Sequence, residues 1–152
     1  MSFPEVELPD APGFVVGHGD RPHLGMGWWD RQEWPGRPGL HCRTTHPWAQ
    51  FRLAGRPPHR HLKLLLAASV RLIGAPCEVD VLCEVDTAGP RLLGRLVIPW
   101  EDWAVHAVPC EVAAAAPLIF TLRTLTPCVP DAVLHNGDHR RLGVHLAAAH
   151  LC

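Results

Sequence analysis

Hydrophobic and polar residues alternate along most of this chain. In "CEVDVLCEVD", Val79, Val81, Cys83 and Val85 fall on one side, and Glu78, Asp80, Glu84 and Asp86 on the other. A helix would spread those acids around its circumference, so the period of two predicts a half-buried strand. "HLKLLLAASVRL" places Leu62, Leu64, Leu66, Ala68, Val70 and Leu72 together, opposite Lys63, Ser69 and Arg71, and predicts a long strand. "RLLGRLVI" follows the turn signal "DTAGPR" and completes a hairpin. "HAVPCEV" directs Val108, Cys110 and Val112 inward, with Pro109 at an edge. "PLIFTLRTL" does the same with Leu118, Phe120 and Leu122. "RRLGVHLAAAHL" predicts a final strand with Leu142, Val144, Leu146 and Ala148 on one face. "PGFVVGHG", "LHCRTT" and "AQFRLAG" are shorter strand candidates, and "AAAA" at 113–116 is at most a helical turn.

Eight to ten strands and no long helix predict an antiparallel β-sandwich with jelly-roll or Greek-key connections. Sixteen prolines and 13 glycines in 152 residues suit many short elements joined by turns. Residues 1–12 read as an extended leader and 13–152 as one sandwich domain. A chain of this length buries enough surface to fold without a metal or disulfide staple.

Net charge is −1, and the basic residues form no run, which argues against a nucleic-acid partner. The first residues, "MSFPEVELPDAPG", resemble no secretion signal, and no stretch is apolar enough to span a bilayer, so a cytoplasmic location is expected. The six cysteines then read as reduced thiols.

"LGMGWWDRQEW", "HCRTTHPWAQFRL" and "HNGDHRRLGVHLAAAHL" together resemble a bacterial galactose-binding-like or carbohydrate-binding-like module. Such modules accompany glycosyltransferases and other surface-polysaccharide proteins. Gly27, Trp28, Trp29 and Glu33 match its opening, and Arg43 and Thr44 match its arginine motif, without the tryptophan that follows the arginine. Ala49, Phe51 and Leu53 match its next strand, and Asp138, Arg140, Leu142 and Gly143 match its closing motif. The resemblance implies a non-catalytic β-sandwich accessory module without a cofactor.

Sugar faces stack on indoles while acids and guanidinium groups bind hydroxyls. Trp28, Trp29, Glu33, Trp34, Arg43, Trp48 and Arg140 are the candidate ligand-binding residues on that chemistry. The competing expectation is structural. Neighbouring strand residues face opposite ways, so one of Trp28 and Trp29 belongs to the core. Glu33 is then expected to pair with Arg43 or Arg140, with Asp138 and Gly143 completing a brace at the last strand. A protein-interaction or assembly module is the alternative function, with a protein instead of a glycan partner; the oligomeric state is open. A cupin-like metal-dependent enzyme using His59 and His61 is a further alternative, although no acid follows His61 before Glu78. No strong zinc, haem, hydrolase or phosphate-loop motif is present.

Overall fold

The computed structural model describes residues 11–85 and 89–152. Among these described residues, ten strands form two antiparallel sheets. They are β1 (Gly13–Val15), β2 (Gln32–Glu33), β3 (His41–Thr44), β4 (Trp48–Gly55), β5 (His61–Ala67), β6 (Cys77–Glu84), β7 (Arg91–Ile98), β8 (Ala104–Pro109), β9 (Ala116–Thr124) and β10 (His145–Leu151). The larger sheet runs β2-β3-β10-β5-β8, with β1 also on β10, and the smaller runs β4-β9-β6-β7. Apart from the β6–β7 hairpin, the connections from β3 onward cross between sheets, as in a jelly roll.

The core lies between the sheets because alternate residues on every long strand point to it. Leu62, Leu64 and Leu66 from β5 meet Phe51 and Leu53 from β4, Val79 and Val81 from β6, and Phe120 and Leu122 from β9. Phe51 and Phe120 stack at 5.2 Å and anchor the centre. The sandwich, the hairpin and these inward faces are as the alternation predicts.

Two predicted strands are corrected. β5 stops at Ala67, and residues 70–73 make a single helical turn, α1 (Val70–Ile73), closed by Gly74 at φ +77°. Ala68 therefore ends the core face, while Val70 and Ile73 pack against its edge from the helix. In β10 the register slips between Leu146 and Ala148. A bulge shifts the inward face by one position, so Leu146, Ala149 and Leu151 enter the core and Ala148 does not. A second short helix, α2 (Pro130–Leu134), was not predicted; its proline stands in the first turn, where no amide is needed. "AAAA" at 113–116 forms no helix. The leader at 1–10 and the turn residues 86–88 lie outside the described residues.

No helix among the described residues is long and apolar enough to cross a membrane.

Candidate functional site

The tryptophan-rich front segment runs along the free edge of β4. Gln50 donates its amide to Met26 O at 2.9 Å, and Gly25 donates to Gln50 O at 2.8 Å. Gly27 has φ +93°, and a Cβ there would overlap the carbonyl of Trp48. Only glycine lets the segment lie so close and then turn away from the sheet.

That path sends the three indoles to three places. Trp28 bridges to Thr45, donates its ring N–H to Gln50 O at 2.7 Å, and meets Phe51 edge-on at 6.5 Å. It is a wall of the core. Trp29 points the other way, as neighbours on an extended chain must. Its ring stacks on His46 at 4.2 Å and carries the Arg140 guanidinium 5.5 Å from its centre. Trp34 meets Trp103 edge-on at 5.3 Å and His145 at 5.0 Å. All three are half-buried against protein groups, so they form no shared exposed platform.

The expected brace is also corrected. Arg43 gives its Nε to Asp20 at 2.7 Å, and Arg140 holds Asp138 through Nε at 2.9 Å and a second nitrogen at 2.8 Å. Both guanidinium groups are thus engaged elsewhere, and Glu33 sits exposed on β2. Burial would raise the Asp20 carboxyl's pKa, but the Arg43 hydrogen bond, aided by the Gly17 amide, outweighs it and holds it low. The adjacent Arg140 keeps Asp138 down at about 2. The last strand does reach the front segment, by another route. Thr45 accepts the Val144 amide on its Oγ1 at 3.0 Å and the Gly143 amide on its carbonyl at 2.8 Å. Gly143 is required here, because a Cβ would overlap Thr45 Oγ1 and lie 2.6 Å from His46 O.

His145 is the buried titratable centre of this region. Its Nδ1 lies 2.8 Å from Thr44 Oγ1 and its Nε2 lies 3.1 Å from Ser69 Oγ. Burial, with some help from Arg140, depresses it to about 4, so it is neutral at physiological pH.

His59 accepts the Arg56 amide on Nδ1 in the turn before β5, and His61 begins β5, exposed. Among the described residues no three metal-ligating side chains gather.

Trp48 opens onto a different surface. Along β4, Ala49, Phe51 and Leu53 face the core, which turns Trp48 to the outer face of the smaller sheet, 44% exposed. Strand pairing then sets Arg123 beside Trp48, Asp80 beside Arg123, and Arg95 beside Asp80. The four make one straight row across β4, β9, β6 and β7, on the order of 14 Å long at the usual strand spacing. Asp80 receives Arg95 Nε at 2.7 Å and a second Arg95 nitrogen at 3.2 Å, with Arg123 at 2.8 Å from the other side. Its side chain is 1% exposed, whereas those of Arg95 and Arg123 are half exposed. The Arg95 hydrogen bonds are the main influence holding the Asp80 carboxyl's pKa low; burial opposes them and Arg123 adds to them. In the next row Gln50 donates to Thr121 Oγ1 at 3.3 Å.

The sequence reading named Trp48 but missed Asp80, Arg95 and Arg123. The signal was present: Asp80 lies on the polar side of a clear strand, and "GRL" and "LRT" place one arginine on each partner strand.

No protein-family model matches the chain, and no curated protein matches it. Among solved structures it is similar to the CBM22-1 xylan-binding domain of Paenibacillus barcinonensis Xyn10C, at TM-score 0.55 and 10% identity over 91% of this chain and 92% of that one. The fold is similar to that of a carbohydrate-binding module. A CBM35 from Cellvibrio japonicus Abf62 superposes at TM-score 0.46 and 10% identity, over 90% of each chain. A family 43 arabinoxylan arabinofuranohydrolase from Bacillus subtilis gives TM-score 0.46 and 15% identity over 78% of this chain. This chain spans only 22% of that hydrolase's length.

Proposed function

We propose that the chain is a non-catalytic carbohydrate-binding-like accessory module that lays a glycan across the outer face of its smaller sheet. The observation that carries this reading is the row Trp48-Arg123-Asp80-Arg95. An exposed indole offers a flat apolar face for the C–H surface of a sugar ring. The two guanidinium forks offer N–H donors to hydroxyl pairs further along the row. Asp80 fixes both forks before any ligand arrives, so little side-chain entropy is lost on binding. Its oxygens are taken by three hydrogen bonds, and arginine does not deprotonate, so these groups bind without transferring protons. The likeness in fold to a xylan-binding domain supports the same reading.

Isothermal titration against soluble xylo-, cello- and galacto-oligosaccharides tests it. Heat with at least one saccharide is expected, weakened tenfold or more in Trp48→Ala. Folded protein that gives no heat with any saccharide at millimolar concentration overturns it.

One observation favours a second reading, an assembly module. On the outer face of the larger sheet, Val15, Ala148, Leu65 and Val105 line up across β1, β10, β5 and β8. Val15 is 51% and Val105 63% exposed, and contiguous apolar surface of this kind favours a protein partner. Light scattering decides: a strict monomer at high concentration with no recoverable partner removes this reading.

A further inference from the structure

Cys83 and Cys110 belong to different sheets. Cys83 is near the end of β6 in the smaller sheet, and Cys110 directly follows β8 in the larger. Core packing brings the two side chains together. Each is 2% exposed, and both line one cavity of about 510 Å³ at this end of the sandwich. Val85, Val112 and Leu118 supply apolar walls, and Arg91 and Glu111 supply the charged groups. The other buried cysteines, 42, 77 and 128, do not line it.

We propose that Cys83 and Cys110 are a redox modification site that takes a hydroperoxide and closes into a disulfide joining the two sheets.

The two thiols differ in role. Cys83 donates its S–H to the Cys110 sulfur, which lowers the Cys110 thiol's pKa against the opposing effect of burial; the Arg91 charge lowers it further. The same hydrogen bond and burial push Cys83 up. The attack is accordingly assigned to Cys110 and the resolving step to Cys83. In Cys42, Cys77 and Cys128 burial raises the thiol, which leaves them inert.

The chemistry balances. The Cys110 thiolate attacks one peroxide oxygen, the O–O bond breaks, and a sulfenic acid and hydroxide result. The Cys83 sulfur then attacks the sulfenic sulfur. The S–S bond forms as the S–O bond breaks, and the departing oxygen leaves as water with the Cys83 proton. Two thiols lose two electrons and two protons, and one hydrogen peroxide becomes two waters.

Peptide mapping of the full chain tests this. Reduced protein is treated with hydrogen peroxide, quenched with a thiol alkylator, digested without reductant and analysed by mass spectrometry. A Cys83–Cys110 linked peptide, lighter by two hydrogens and released by dithiothreitol, is the expected main product. In Cys83→Ser the link is lost, and dimedone traps Cys110 as sulfenic acid. The wild-type map stands alone if that variant does not fold. Oxidation confined to exposed Cys152, a link between other cysteines, or over-oxidised Cys110 beside an alkylated Cys83 overturns the proposal.

Discussion

Asp80 and Arg95 face each other across β6 and β7, joined by two hydrogen bonds of 2.7 and 3.2 Å. The carboxylate is buried and the guanidinium half exposed. The pair thus joins the interior to the surface on which the proposed glycan lies. Asp80→Asn keeps the shape but removes the charge that holds both arginines. Chemical denaturation should show a loss on the order of 1–3 kcal/mol, the usual cost of disturbing a buried charged hydrogen-bond group. Titration with a bound saccharide should show affinity falling tenfold or more. Unchanged affinity would mean that the arginines do not touch the glycan.

Trp48 and Trp28 separate binding from stability. Trp48→Ala should leave the thermal midpoint within a few degrees, because the ring is 44% exposed, yet weaken saccharide binding. Trp28→Ala removes a ring packed on Phe51 and should cost about 3 kcal/mol or more in a denaturant melt. If Trp28→Ala instead folds as wild type, the indole is not the core wall described above.

Glu33 and Asp20 test the corrected brace. Glu33→Ala should change stability by no more than about 0.5 kcal/mol, as for an ordinary surface site. Asp20→Ala leaves the Arg43 charge, whose side chain is only 13% exposed, with the Trp29 carbonyl but no carboxylate, and should cost roughly 3 kcal/mol. The reverse order in urea titrations would restore Glu33 as the acceptor.

Acid should destabilise the fold through His145. Its pKa is about 4 in the folded protein and near 6.5 in an unfolded chain, so between those values only the unfolded state takes the proton. Stability therefore falls as pH drops from about 6.5 to about 4, by up to roughly 3 kcal/mol from this group. His23 and His106, also lowered by burial, act in the same direction. His145→Gln should flatten the slope of unfolding free energy against pH over that window. An unaltered slope would place the acid sensitivity elsewhere.

Gly143→Ala is the sharpest packing test. The added methyl meets Thr45 Oγ1, His46 O and Thr124 Oγ1 together, two of them side-chain hydroxyls in the interior and one a backbone oxygen. Overpacking of this kind costs 1–3 kcal/mol or about that, and a cooperative thermal melt should report it.

Strand identity was legible wherever the two faces of a strand meet different surroundings. β6 is the clearest case: its valines reach the core and its acids do not. The β10 bulge was not legible, because "LAAAHL" offers small residues that tolerate either face. Partner choice among charges was the least legible. Arg43, Arg140 and Glu33 are all able to pair, but whether they do depends on where loops pass. Asp20 lies 23 residues before Arg43 and is brought to it by the turn after β1. Arg140, in contrast, folds back on Asp138 two residues away, a local contact that any long-range pairing must beat. The Asp80 row fell between these cases. Its alternation was visible, but its partners depend on the order of strands in the sheet.

The position of β10 has a consequence for how the protein comes into being. It joins β1 and β3 along one edge to β5 along the other, so no residue before His145 can close the larger sheet. As the chain leaves the ribosome, the smaller sheet can assemble once β9 has emerged. The other five strands of the larger sheet must meanwhile wait as three unjoined pieces, β1, β2–β3 and β5–β8, with bare edges exposed to mispairing until the last strand slides between them.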